Sequence, residues 1–360
     1  MIQSQLGVDE SNAGLVPPLY CPIPSVLHPL HQSVADHTLR WAEKMGLMAE
    51  PETARKIQAM RAHEFVCRIA SDAQGQDGLD LMSQWLCSML AIDDEWDAGR
   101  LSRDPASTLL KVIKLLATIN VPQALTDDDD IYLAIVRDVF IRAREWAPAE
   151  AVKRWADSQL ESFMGAATFV ALRAADRPMS FDEYLLVGTL DRGTRACIDL
   201  IAVVERTCVP QSELSAPRVL ALTQAAKFLV LCAADLGSYY REMNHGGQES
   251  SIVDVLRRER GSSPHQALTE TVRLHDRTMC LFLNLSEKVT RHAGPELRRY
   301  VTQLSNLVSG NLEWGFTSPR YTAEYPLKPA VSGYQRADRP FDGRLDALPY
   351  PAISWWWEQL

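Results

Sequence analysis

The 360-residue chain lacks most of the signatures that place a protein at a glance. No Cys-x-x-Cys or Cys/His zinc spacing occurs, and the eight histidines are scattered, none paired at metal spacing. No Gly-x-Ser-x-Gly elbow supports Ser-His-Asp chemistry. Basic charge is in deficit: 37 Lys and Arg against 46 Asp and Glu give a net charge of −9, which argues against a nucleic-acid partner. No uninterrupted apolar run reaches the roughly 18 residues of a membrane span, so no membrane insertion is expected. Met1–Val16 lacks a basic segment followed by an apolar core, so no secretory leader is expected either. Seven cysteines, an odd number without paired spacing, predict free thiols in a reducing, cytoplasmic setting. Alternating Val/Ile/Thr runs joined by hairpin dipeptides are absent, so strands are expected to be scarce.

What the chain does have is helical periodicity. From about Leu30, apolar residues recur at three and four, with breakers between the stretches. Helices are expected near 31–46, 51–70, 77–99, 104–118, 128–145, 148–175, 181–206, 215–243, 248–258, 263–292 and 295–316. The fold class is therefore all-α, an antiparallel helical bundle or barrel. Residues 1–25 read as an unstructured arm, 26–325 as one domain and 326–360 as a Pro/Trp-rich tail. Three tryptophans, Trp355–Trp357, are costly to expose, so the tail is expected to dock on the body or on a partner subunit. A homodimer is left open.

The most informative residues close the apolar run Leu86–Ile92: Asp93-Asp94-Glu95-Trp96-Asp97. Asp93 and Asp97, four apart, project from one helical face with Asp94 beside them. Carboxylates held close repel one another unless a cation sits between them. Oxygen-only ligands suit Mg²⁺, whose shell a phosphate commonly completes. Alone the pattern also fits a solvated acidic face. The preceding wall favours the metal reading, since Trp85, Met89 and Asp93 step by four, and a greasy stripe that ends in acid suits a pocket with an ionic mouth. A second constellation lies in Ala234–Glu242. Ser238 and Glu242 share a helical face and can share Mg²⁺, while Arg241 can meet a phosphate. Asp127–Asp130, the most acidic run, reads instead as a helix start capped by Thr126. Cys197, Cys208 and Cys232 are expected to pack.

With both constellations in view, the chain resembles the class I terpene synthases, the bacterial cyclases in particular, over roughly residues 20–321. Asp93–Asp97 looks like the family's aspartate-rich motif. Ala234-Asp235, Ser238 and Glu242 look like its second metal motif. Trp314 and the pair Arg320-Tyr321 look like its late tryptophan and Arg-Tyr ending. Leu19–Pro22 and Trp41–Leu47 are also similar to bacterial members. One departure concerns chemistry: where the family carries Asn or Asp, this chain has Ala234, which offers no donor atom. Asp235, about 100° further round the helix, is a doubtful substitute.

The resemblance implies Mg²⁺ (three ions in the family) and an isoprenyl diphosphate that ionises and cyclises. It further implies Arg192 as a diphosphate sensor in an Arg-x-Thr element, with a backbone carbonyl at Ala196 as effector. Arg241, Arg320 and Tyr321 would add hydrogen bonds to the diphosphate. Arg195 is read as surface charge. A developing carbocation favours electron-rich walls, and Trp85, Phe163, Trp314 and Phe316 are the candidates, whereas Trp96 is expected to pack outward. Farnesyl diphosphate is the expected substrate, by analogy. Geranyl, methylated geranyl and C20 diphosphates stay open, as do a chain-elongating prenyltransferase and a decayed, inactive homologue.

Overall fold

A computed structural model describes residues 16–97, 99–123, 130–244, 251–322 and 336–360, with backbone alone for 240–244 and 322. In chain order the longer helices are α1 (His31–Lys44), α2 (Pro51–Met60), α3 (Ala62–Ile69), α4 (Asp77–Asp97), α5 (Pro105–Asn120), α6 (Ile131–Trp146), α7 (Ala149–Ala174), α8 (Phe181–Asp191) and α9 (Thr194–Val204). They continue after the short α10 (Gln211–Leu214) with α11 (Pro217–Asn244), α12 (Ile252–Arg260), α13 (Pro264–Thr290) and α14 (Pro295–Thr317). Two further single turns, α15 (Pro319–Thr322) and α16 (Pro351–Ser354), follow.

Local chemistry sets these boundaries. Proline occupies the first turn of α2, α5, α13 and α14, where its missing N–H costs nothing. Capping boxes open α8 (Ser180 with Glu183) and α13 (Ser263 with Gln266). Gly261, at φ +59°, ends α12 in the left-handed conformation that glycine adopts without strain. Asp130 caps α6, accepting from the N–H groups of Tyr132 and Leu133 at 3.1 and 3.4 Å, and Lys111 pairs with it. The acidic run thus supplies a helix start, although the expected cap Thr126 lies outside the described residues.

Two stretches expected as single helices are each broken. The 51–70 helix turns at Arg61 (φ +46°), and the 181–206 helix breaks at Arg192-Gly193, with Gly193 at φ +61°. The second break is held by close packing: a Cβ on Gly165 of α7 would lie 2.4 Å from the Asp191 nitrogen.

The helices surround a cavity reached by α3, α4, α7, α9, α11 and α14. α11 packs against α13 and α14, and α7 against α5, α8 and α9. By length and composition Pro217–Tyr239 could cross a membrane, but 83% of its apolar window is buried within the protein. This corrects the expectation that no run was long enough. Lys227 and Asp235 interrupt the run on paper, yet both are buried and paired, with Glu161 at 3.2 Å and Arg192 at 2.7 Å.

The arm differs from the expectation that it is unstructured, whereas the tail docks on the body, one of the two placements expected of it. Leu19–Tyr20 (β1) pairs in parallel with Arg336–Ala337 (β2), and Leu19 is fully buried. Residues 16–25 are therefore docked, while residues 1–15 lie outside the described residues. Buried Asp276 on α13 holds both segments, accepting from the N–H groups of Tyr20 (3.0 Å) and Phe341 (2.7 Å). Trp356 and Trp357 are buried, Trp356 edge-on to Phe228 of α11 with centroids 5.9 Å apart.

Candidate active site

The cavity has a volume of ≈150 Å³. Its walls are largely apolar and aromatic: Phe65, Trp85, Trp96, Phe163, Trp314 and Tyr321 all face it, with Met89 among them. The rings brace one another edge-on. Phe65 and Trp314 lie 5.1 Å apart, Trp96 and Phe163 5.7 Å, and Trp314 and Tyr321 5.3 Å. The Trp314 indole N–H is satisfied by the Met60 carbonyl at 3.0 Å, which fixes the ring's orientation.

Several aromatic expectations change here. Trp96 does not pack outward; it is buried and lines the cavity. Phe316 packs against the core but is not among the lining residues. Two residues beyond Trp314, it sits about 200° round α14, on the opposite face. Phe65 went unrecognised because its short helix carries no motif. Gln159, Ser162 and Asn311 are polar lining residues that no spacing in the sequence singled out.

One end of the cavity is acidic. α4 delivers Asp93 and Asp97 to the lining, as their spacing predicts. Asp94, a residue further round, is gripped by Arg320 at 2.8 and 3.3 Å, with Asp93 3.7 Å from the same guanidinium. Burial opposes the charge on Arg320, but attraction from Asp94 and its neighbours overcomes this and raises its pKa. Arg173, from the end of α7, donates to the carbonyls of Trp96 (2.9 Å) and Ser102 (3.2 Å) and lies 3.5 Å from Asp97. It thereby satisfies the exposed carbonyl end of α4. Burial, then repulsion from Asp97 and Asp191, pushes the Asp93 carboxyl well above the usual carboxylate range. Burial, offset by Arg192 and reinforced by Asp97, moves Asp191 up to about 7.

On the facing helix α11, Ala234 and Ser238 line the cavity one turn apart. The Ser238 hydroxyl is buried and has no hydrogen-bond partner among the described residues. The side chains of Arg241 and Glu242 lie outside the described residues. Asp235 points elsewhere: it is fully buried, absent from the lining, and accepts from the Tyr184 hydroxyl (2.6 Å), Arg192 (2.7 Å) and the Ile252 N–H (2.8 Å). With these partners it positions Arg192 and lies outside the lining of the cavity. Arg192, Gly193 and Thr194, at the helix break, line the cavity, whereas Ala196 is buried inside α9 and does not. The cavity-facing backbone of this element is thus the break itself. Arg195 is not simple surface charge, since its Nε donates to buried Asp199 at 2.8 Å. All seven cysteines are free; Cys197 lines the cavity, Cys232 is buried, and Cys208 is exposed rather than packed.

Among the described residues, no three His, Cys, Asp or Glu side chains cluster closely enough to hold an ion by themselves. The donor chemistry nevertheless fits a hard divalent cation shared with an anionic ligand. Carboxylates at the mouth whose repulsion a cation would relieve share the cavity with an unsatisfied buried hydroxyl.

Comparison with known proteins agrees with this geometry. The family model described as terpene synthase family 2, C-terminal metal binding, matches residues 84–280, which carry Asp93–Asp97, Arg192 and Ser238. A (+)-T-muurolol synthase of Streptomyces clavuligerus is 30% identical over 94% of this chain and 81% of its own length. Bonnadiene synthase of Allokutzneria albata is 29% identical over 95% and 97%. The crystal structure of SVS_A2, a protein from ancestral sequence reconstruction, superposes with a TM-score of 0.85 at 29% identity, covering 96% of this chain and all of that one. An aromatic-walled cavity with an acidic mouth, set in this fold and matched by these relatives, shows that the chain belongs to the bacterial class I terpene synthases, metal-binding lyases that act on isoprenyl diphosphates.

Proposed function

We propose that the protein ionises and cyclises farnesyl diphosphate to a sesquiterpene in a Mg²⁺-dependent reaction that releases diphosphate. The observation that carries this reading is the joining of two features in one cavity: Asp93 and Asp97 from α4 and Ser238 from α11 at the mouth, and aromatic walls beneath them. The choice of a C15 substrate draws on relatives whose names specify it, including the (+)-T-muurolol synthase and a 4-epi-cubebol synthase of Streptosporangium roseum, both described as cyclising (2E,6E)-farnesyl diphosphate.

Asp93, Asp94, Asp97, Ser238 and Glu242 are the residues that would hold Mg²⁺, with three ions expected from the family. When bound, the metal supplies Lewis-acid stabilisation of the charge that develops on the departing diphosphate. The chain's own residues do the rest. Arg192, held by Asp235, and Arg320, bent over the mouth from α15, donate charge-assisted hydrogen bonds to diphosphate oxygens, joined by Arg241 and the Tyr321 hydroxyl. Arg320 exchanges Asp94 for the incoming anion as the mouth closes, and closure excludes water. Trp85, Trp96, Phe163, Phe65 and Trp314 present π faces and edges to the allylic cation, each face being worth about 0.5–2 kcal/mol.

The test is incubation of the purified protein with Mg²⁺ and C10, C15 or C20 diphosphates, with products identified by mass spectrometry. A cyclic C15 product from farnesyl diphosphate is expected. A C20 cyclic product would move the reading to a diterpene cyclase, a longer diphosphate to a prenyltransferase, and the absence of any product to a decayed homologue.

A further inference from the structure

Ala234 leaves the second metal motif one donor short, and the structure offers a replacement from another helix. We propose that the carboxylate of Asp191, at the end of α8, supplies beside Ser238 the metal-ligating side chain that Ala234 cannot. This rests on the Mg²⁺-dependent reading above. Asp191, Ala234 and Ser238 line the same cavity, Asp191 from the helix break and the other two from α11. Among the described residues the Asp191 carboxylate has no hydrogen-bond or ion-pair partner. The Ser238 hydroxyl, more than nine-tenths buried, likewise has none. A half-buried carboxylate and an unsatisfied buried hydroxyl therefore line the same cavity as the Ala234 methyl.

Placement is fixed from two sides. Gly165 of α7 admits the Asp191 backbone at a distance no larger residue allows, a Cβ there falling 2.4 Å from its nitrogen and 2.6 Å from its Cα. The adjoining Arg192 is bound to Asp235, the residue after Ala234, at 2.7 Å. The end of α8 is thereby pinned beside the turn of α11 that lacks a donor. Asp235 cannot fill the gap itself, because Tyr184, Arg192 and the Ile252 N–H already engage its oxygens. A carboxylate is also a stronger ligand for a hard divalent ion than the amide it would replace.

The experiment titrates Mn²⁺ into the full-length protein in the presence of inorganic diphosphate, with bound ion read by electron paramagnetic resonance. Asp191→Ala is expected to weaken the binding of one ion by at least about 10–100-fold, the loss that follows when even an outer-shell partner of a ligand is removed. Asp191→Ala combined with Ala234→Asn is expected to restore it, which a merely structural role for Asp191 would not produce. Ala234→Asn alone is expected to leave the affinity near that of the parent chain, a comparison that holds even if Asp191→Ala folds poorly. Unchanged binding in Asp191→Ala, or a large gain from Ala234→Asn alone, would overturn the proposal while leaving the catalytic reading intact. Failure of the parent chain to bind Mn²⁺ with diphosphate would overturn both.

Discussion

Asp235 lies outside the cavity lining and is still central to the candidate site. It lies between Arg192, the Tyr184 hydroxyl and the first N–H of α12, all at 2.6–2.8 Å. Asp235→Ala would leave the partly buried Arg192 cation without this partner, and losing one member of a buried pair costs about 3–5 kcal/mol. The midpoint of urea denaturation should fall accordingly, and Asp235→Asn should fall less. Asp199 makes a prediction of opposite character. Burial pushes its carboxyl up to about 6 against the pull of Arg195. Between the ordinary 3.8 and about 6, the unfolded chain has lost this proton while the folded one keeps it. The folded state then binds more protons, so this group's contribution falls by about 3 kcal/mol as pH rises through that window and is flat above it. Asp199→Asn should flatten that part of the stability–pH profile. Residues whose placement follows from helical spacing were legible in the sequence: Asp93, Asp97 and Ser238 all reach the cavity lining. Phe65, Gln159 and Asn311 were not, because a lone side chain on an apolar face carries no mark of whether it faces packed core or empty space.

At the scale of elements, the helix break at Arg192-Gly193 organises the site. Periodicity continues unbroken from α8 into α9, so the apolar pattern alone reads as one helix; only the left-handed Gly193 interrupts it. The turn at Arg61 gave less warning still, since arginine is not a residue that favours positive φ. Gly165→Ala should disturb the break directly. Its methyl would collide with the backbone of Asp191, and overpacking of this kind costs about 1–3 kcal/mol. Turnover should fall by more than the loss of stability accounts for, because Asp191, Arg192 and Thr194 shift together. Circular-dichroism melts beside steady-state kinetics would separate the two effects. Substitution of Gly188 in α8, where a Cβ finds its nearest neighbour at 3.2 Å, gives a milder comparison.

For the molecule as a whole, the all-α architecture and the axis of the site were present in the sequence, while the closing of arm and tail on one another was not. Two-residue strands are too short for any alternation to show, and Asp276, which accepts from Tyr20 and Phe341, helps hold the arm and the tail together. Deleting residues 336–360 removes Trp356 and Trp357 from α11 and uncovers Leu19, so the melting temperature should drop and aggregation should rise, as light scattering during a thermal ramp would report. Equal melting curves would show the tail to be an independent appendage. The central claim is that the acidic mouth drives departure of diphosphate from an allylic chain held in the aromatic cavity. It is tested most directly by measuring inorganic diphosphate released from farnesyl diphosphate by the parent chain and by Asp93→Ala, each with Mg²⁺ and with excess chelator. The account predicts rapid release only from the parent chain with Mg²⁺, together with a cyclic product; equal release from Asp93→Ala, or release that persists under chelation, would contradict it.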